Sequence, residues 1–489
     1  MDVPIRRRPT GRVVAGDQVA PTGPTPTDTT QVARRRSPVR SSAAVLRLAV
    51  VVRVWPASLA GLLAACGGPV VTLTIDGDRA VPAELDALCV GVADRDLGGG
   101  EFGRTYRLEG RLASLPQTLA VEAGDASSAL AWARGYRGGV AVALDTATLS
   151  FDGDVTLRLD RCPRAHAGMI TETAMTAAPA GRLVASMGQG GTVVVAVDGS
   201  GAAVIDADGS ALTSTPLAAA GAAVVAFDAD GDCDDDLAVA TAATLTLFTR
   251  DGTTFTAGAT FLGAAALVAF DADGDGDQDL VAGAGAGLAL YRNDGAGGFA
   301  AATAAIDDGG AVTAVSALAA GDLDGDGNAD LIVGQAGAPP VVLVGDASGT
   351  GVLALAPAVF PPVSLTVRDL APADVDGDLD LDLVVALAGA PARVYVNRSG
   401  RLEDQSFVRL PQPAPTATAA AAGDWDGDCA PDLVLAAAAS SALRGGTDGA
   451  FVAETALAAA TAAVLVDIDD DGDPDLLLSG AGTVRWYRR

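Results

Sequence analysis

The sequence predicts an all-β chain built from repeated sheet units, and three observations carry that prediction. An acidic decapeptide recurs six times along the second half of the chain. The steps between copies are 43, 51, 52, 50 and 43 residues, the length of one small sheet. Each copy is followed by a short apolar run, a glycine-rich turn and a second apolar run, which is the rhythm of a strand meander.

From the N-terminus, residues 1–42 are rich in Pro, Thr, Ser and Arg, lack hydrophobic periodicity, and are expected to be a disordered leader or to precede the true translation start. Residues 43–65 then place an apolar run behind a basic flank and end in small residues, the order of a secretory signal. Leu63-Ala64-Ala65-Cys66 is similar to a bacterial lipobox, which implies cleavage before Cys66 and lipidation of that cysteine. The clean apolar run, Val54 to Ala65, is short for a transmembrane helix. Export implies an oxidising compartment in which cysteines pair.

Residues 66–163 alternate apolar and polar positions in short runs such as "VTLTID", "VAVAL" and "VTLRLD", with Gly and Asp turns between them. They are expected to form a small antiparallel, sandwich-like β domain, with a Cys89–Cys162 disulfide as the bridge that would close it. Cys233 and Cys429 fall inside acidic loops, and the sequence does not say whether they pair.

The six decapeptides begin at Asp228, Asp271, Asp322, Asp374, Asp424 and Asp467, and the second reads "DADGDGDQDL". Position 3 is Asp230, Asp273, Asp324, Asp376, Asp426 and Asp469, and position 5 is Asp232, Asp275, Asp326, Asp378, Asp428 and Asp471. Position 7 varies: Asp234, Asp277, Asn328, Asp380, Ala430 and Asp473. Position 9 is again invariant, as Asp236, Asp279, Asp330, Asp382, Asp432 and Asp475. Two carboxylates 4–5 Å apart repel by roughly 3–4 kcal/mol at an effective dielectric near 20, so a loop with four of them needs a counter-ion. Alternating aspartates around a position-4 glycine let side-chain oxygens converge on a hard cation, and calcium's flexible coordination suits them better than magnesium's octahedron. Because position 7 tolerates Ala430, that vertex is assigned to the backbone carbonyl. In the sixth copy Asp470 replaces the position-4 glycine.

Position 12 of every copy is apolar (Val239, Ala282, Val333, Val385, Leu435, Leu478), which excludes the EF-hand and its bidentate glutamate. The unit over residues 268–300 instead resembles the FG-GAP/VCBS repeat of integrin-α-type β-propellers. That resemblance implies one four-stranded blade per unit, with a calcium loop between the first two strands, over roughly residues 222–489. About six calcium ions are then expected.

Residues 182–220 follow the same strand rhythm without a complete acidic loop, so they are expected to form a metal-free blade. Asp206 and Asp208 begin the pattern there, but Ser210 and Ser214 break it, and a hairpin turn is expected instead. The last copy stops in its third strand, leaving one outer strand to be supplied from upstream, with "VTLRLD" (155–160) as the candidate. The expectation is a seven-bladed propeller over 168–489, with six blades as the alternative.

Composition narrows the function. The chain has a formal net charge of −29 and no lysine, which argues against nucleic-acid binding and excludes P-loop and Schiff-base lysine chemistry. The excess of Ala, Gly and Arg points to a GC-rich bacterial genome. His166 is the single histidine, and neither G-x-S-x-G nor H-E-x-x-H occurs. The sequence therefore predicts a non-catalytic, calcium-binding lipoprotein of the bacterial cell envelope, at the outer membrane or cell surface. It would act as a monomer, touch the membrane only through its lipid, and present loops to a protein or glycan. Relatives of the resembled family imply an alternative, a propeller enzyme of the polysaccharide-lyase or phospholipase-like type. A structural spacer without a discrete ligand is the third reading.

Overall fold

The computed structural model describes residues 70–488 apart from 78–84, 86, 94–101, 108–114, 123–128, 138–139, 150–152, 159–169, 189–190, 209, 346–350, 358, 362–363, 379, 429, 447 and 470–473. The leader, the signal segment, Cys66, Cys162, His166, Cys429, Asp471 and Asp473 therefore lie outside the described residues.

The first seven strands are β1 (Val70–Asp76), β2 (Ala87–Ala93), β3 (Phe102–Arg107), β4 (Gln117–Glu122), β5 (Ala129–Arg137), β6 (Val140–Leu149) and β7 (Val155–Arg158). They form a three-stranded sheet, β4-β1-β7, and a four-stranded sheet, β3-β2-β5-β6. Both sheets contribute to one core, with Val71, Leu73 and Ile75 from one and Leu88, Val90, Ala131 and Ala133 from the other. Alternate positions of each strand supply that core, as the period of two in the sequence requires. Pairing is antiparallel except between β1 and β7, which run parallel. That pair corrects the expectation of a wholly antiparallel domain.

Beyond residue 170 the structure is a β-propeller. Strand β8 (Thr171–Ala177) is followed by the first meander, β9 (Arg182–Ser186), β10 (Val193–Asp198), β11 (Gly201–Asp208) and β12 (Ala211–Leu217). The second comprises β13 (Ala223–Phe227), β14 (Asp236–Ala240), β15 (Thr244–Asp251) and β16 (Thr254–Leu262). The third comprises β17 (Ala266–Phe270), β18 (Asp279–Ala284), β19 (Gly287–Asn293) and β20 (Phe299–Ala301). After a short strand β21 (Ile306–Asp307) come β22 (Val315–Gly321), β23 (Asp330–Ala338), β24 (Val341–Val344) and β25 (Leu353–Leu355). The fifth comprises β26 (Leu365–Ala373), β27 (Asp382–Leu387), β28 (Arg393–Asn397) and β29 (Leu402–Asp404), trailed by a one-turn helix α1 (Ser406–Arg409). The sixth comprises β30 (Ala419–Gly423), β31 (Asp432–Ala436), β32 (Ser440–Arg444) and β33 (Val452–Leu457). The seventh has only β34 (Ala462–Val466), β35 (Asp475–Gly480) and β36 (Thr483–Arg488) of its own.

Its fourth strand is β8, which pairs antiparallel with β36. The closing strand is thus Thr171–Ala177 and not "VTLRLD", whose Val155–Arg158 is committed to β1 in the smaller domain. Glu172 reinforces the closure by accepting from Arg485 at 2.8 Å and from the Tyr487 hydroxyl at 3.1 Å. Among the described residues, every acidic loop joins the first strand of a meander to its second.

The second strands are buried on both faces. Strands β14, β27, β31 and β35 have no exposed or half-exposed position, which is why the sequence after each acidic loop reads as a continuous apolar run. Apolar side chains from neighbouring sheets share cores: Phe227 and Leu245 pack with Leu280 and Tyr291, and Val194 and Ile205 of the first meander pack with Leu477 and Trp486 of the last. The latter core joins the two ends of the ring. Asp206 and Asp208 lie in β11, which turns directly into β12, so the hairpin expected there is present.

Candidate metal centres

Within each acidic loop the aspartates divide the work. The position-1 carboxylate gathers backbone N–H groups and curls the loop. Asp271 accepts from Gly274 at 2.7 Å, Asp275 at 3.1 Å and Gly276 at 2.8 Å. Asp228 does the same with Gly231, Asp232 and Cys233, and Asp374 with Gly377 and Asp378. The curl passes through the left-handed backbone region at position 4, where Gly231, Gly274, Gly325, Gly377 and Gly427 have φ of 76°, 73°, 78°, 74° and 70°. Glycine adopts this conformation without steric cost, which is the reason the sequence repeats it there. The position-5 carboxylate accepts the N–H of position 7, as between Asp275 and Asp277 at 3.0 Å and between Asp428 and Ala430 at 3.0 Å.

The position-9 aspartate is a strut. In loop two, Asp279 accepts the N–H of Ala272 on one oxygen at 3.0 Å and the N–H of Asn293 on the other at 2.8 Å. Asp236, Asp330, Asp382 and Asp432 make the same two bonds, to position 2 and to the end of the third strand of their own sheet or the glycine just after it. All five are buried. Sequence reasoning read them only as ligands, because alternation of Asp carries no sign of a second, structural duty.

Among the described residues, carboxylate oxygens converge in at least five of the loops to within 4.8 Å of one another. The sets are Asp228, Asp230 and Asp232; Asp271, Asp273 and Asp279; Asp322, Asp324 and Asp330; Asp374, Asp376 and Asp382; and Asp424, Asp426 and Asp432. Four of the five therefore unite positions 1, 3 and 9. Of the position-7 residues, Asp234, Asp277 and Asp380 stand outside these five sets, and Asn328 and Ala430 have no carboxylate to contribute.

Position 3 differs from the others. One oxygen of Asp230, Asp273, Asp376 and Asp469 is buried and has no hydrogen-bond donor. A buried anionic oxygen without a donor is costly, and a cation relieves it. For Asp376 the second oxygen is held by Arg398 and Arg409, both at 2.9 Å, while the first still lacks a donor. At other positions of the loops, burial, followed by the charges of neighbouring aspartates, raises several carboxyls well above the ordinary 3.8. Asp236 is pushed up to about 8, Asp232, Asp279 and Asp330 to about 7, and Asp228 and Asp382 to about 6. All-oxygen donors, several carboxylates per site and an irregular curled loop are the requirements of calcium, so the residues fit that ion.

One loop uses a different cation. The first meander has no acidic loop, and Arg250 reaches into it from the second. Its guanidinium is buried and donates to the Ser186 carbonyl at 2.7 Å, the Ser186 hydroxyl at 2.8 Å, the Gly191 carbonyl at 2.6 Å and the Gly252 carbonyl at 2.5 Å. Phe248 lies opposite Leu237 as Tyr291 lies opposite Leu280 and Tyr395 opposite Leu383, so Arg250 holds the register position of Asn293 and Asn397. Those asparagines donate to the position-2 carbonyl of the preceding acidic loop, Ala229 at 2.8 Å and Leu323 at 2.7 Å. Sequence reasoning missed Arg250. The sequence carries little signal for it, since the same register position is Asn293 and Asn397 in two repeats, Gly345 and Gly445 in two others and Arg489 in the last.

At the opposite ends of the same strands lies a cavity of about 670 Å³, lined among others by Arg182, Asp198, Arg368, Thr418 and Thr461. Arg182 of β9 and Asp369 of β26 meet across the ring at 2.8 Å. Among the described residues no helix is long and apolar enough to cross a membrane.

A ring of antiparallel sheets carrying aspartate loops at one end defines a repeat propeller with candidate divalent-cation sites. Residues 228–282, 271–333 and 374–435 match the FG-GAP-like repeat, and residues 314–354 match the FG-GAP repeat. Those residues are thus FG-GAP-type repeats, similar to the repeats of integrin-α-like proteins. No curated protein matches the chain. Among solved structures, it is similar to BBS1N in complex with ARL6DN, in mercury-soaked and lead-soaked crystals. Each shares 12% identity with it and covers 67% of this chain and 97% of that one, with TM-scores of 0.44 and 0.46. It is also similar to an Agrocybe aegerita lectin solved for its recognition of non-reducing terminal N-acetylglucosamine, at 16% identity over 84% of this chain and 96% of the lectin, with a TM-score of 0.43. Nothing about ligand or partner follows from these distant likenesses.

Proposed function

We propose that the chain is a calcium-stabilised, non-catalytic binding propeller of seven blades, six of them carrying one Ca²⁺ each. The observation that carries the reading is the recurrent buried position-3 oxygen without a donor, at Asp230, Asp273, Asp376 and Asp469. Four separate loops share one unmet electrostatic need, and each presents the ligand type that a hard cation takes. Calcium stiffens the wheel, and the loops at its ends meet a protein or glycan partner. The cavity beside Arg182 and Arg368 is the candidate receptor for such a ligand.

The same reading places the protein in the bacterial envelope as a monomer, exported and held by lipid on Cys66 at the outer membrane or cell surface. A disulfide at Cys233 supports an oxidising compartment, since cytosolic thiols stay reduced. A net charge of −29 supports a partner other than nucleic acid. Elemental analysis of the purified chain tests the central point. About six calcium ions per chain are expected, and two or fewer would overturn it.

A further inference from the structure

Cys233 stands at position 6 of the first acidic loop, fully buried and disulfide-bonded. Its φ of 72° lies in the left-handed region, where the next two loops use Gly276 and Gly327 at 97° and 96°. A cysteine at that angle gives up the conformational ease of glycine. Two residues further on, Asp235 receives Arg134 from β5 at 2.5 Å, and both side chains are buried. Asp235 is itself fixed by the backbone N–H of Met187 at 3.0 Å. The smaller domain therefore docks on the first acidic loop through the Arg134 row of its four-stranded sheet. That row alternates with Ala131 and Ala133, which fill the domain's own core. In the β2–β5 register the residue directly opposite Arg134 is Cys89. Residues so paired stand about 4.5–5.5 Å apart on one face of a sheet.

We propose that Cys89 is the disulfide partner of Cys233, forming a covalent clamp between the smaller domain and the first acidic loop. Forming it joins the two Sγ atoms, and the two protons and two electrons released pass to a disulfide-bearing exchange partner, whose own S–S bond is reduced to two thiols. The clamp holds position 6 in its left-handed conformation and keeps the Arg134–Asp235 pair in register. It replaces the Cys89–Cys162 bridge that the sequence alone suggests.

Non-reducing peptide mapping of the full chain, alkylated before unfolding, tests the assignment. Trypsin releases Cys89 in residues 80–95 and Cys162 in residues 162–164, so the alternatives differ clearly in mass. A linked peptide joining residues 80–95 to the Cys233 segment is expected. Linkage of 80–95 to 162–164, or of Cys233 to any other cysteine, would overturn the proposal. Cys89→Ser should expose one additional free thiol per unfolded chain, located at Cys233. A Cys233 that stays oxidised in that variant speaks against the clamp, and the map of the unmodified chain decides the matter where the variant fails to fold.

Discussion

Asp279 accepts the backbone N–H of Asn293 at 2.8 Å, a bond that ties the end of an acidic loop to the third strand of its sheet. Its neighbour Asp273 faces Arg292 of that strand with one oxygen at 3.3 Å, while its other oxygen is buried without a donor. The two residues should therefore separate under mutation. Asp279→Ala leaves the N–H groups of Ala272 and Asn293 without acceptors, and should cost about 1–3 kcal/mol per orphaned group with or without calcium. Asp273→Asn, which also weakens the Arg292 pair, should lower stability more in calcium than in chelator. Urea denaturation of both variants in calcium and in chelator checks this.

Acidity should stabilise the metal-stripped form but not the loaded one. In the metal-stripped chain Asp236 is raised to about 8 and Asp279 and Asp330 to about 7, against 3.8 for an ordinary aspartate. The folded state then holds protons that the unfolded state has released. The stability these groups contribute is fully present below about pH 4 and is lost as pH rises through 7 to 8. Thermal denaturation in chelator should show a higher midpoint at pH 5.5 than at pH 8. In millimolar calcium, which keeps the carboxylates ionised, that rise on acidification should vanish.

Arg250 supplies a fixed cation where the first meander has no acidic loop. Arg250→Ala leaves two Ser186 oxygens and the Gly191 and Gly252 carbonyls without their donor, and should cost at least about 3 kcal/mol. The loss should be equal in calcium and in chelator, because no ion takes part. Arg250→Lys should not restore stability, since a single ammonium cannot span the four acceptors. Chemical denaturation of both variants measures it.

Strand β8 is the remaining test. A chain beginning at Pro179 removes the partner of β36 and leaves that edge unpaired. Size-exclusion chromatography should show this variant as dimers or aggregates, while the full chain elutes as a monomer.

The acidic loops were legible because aspartate at alternate positions has few other uses, and the strands after them because burial on both faces leaves an unbroken apolar run. The closing strand was not. "VTLRLD" has the stronger alternation, whereas Thr171–Ala177 ("TETAMTA") is largely exposed or half-exposed and is chosen by its place beside β36. The dual role of Asp279 was hidden for a different reason. Its bond to Asn293 depends on the register of two strands, and no local spacing records register. Arg250 became meaningful only once its position could be superimposed on Asn293 and Asn397.

Glu172 and Tyr487 lie 315 residues apart in sequence yet share a hydrogen bond. On the ribosome β8 is made early and must wait for nearly all the rest of the wheel before its partner appears. Completion of the circle thus reports that synthesis has run through Arg488, and a prematurely terminated product would carry a sticky flank at each end for proteases or chaperones to detect.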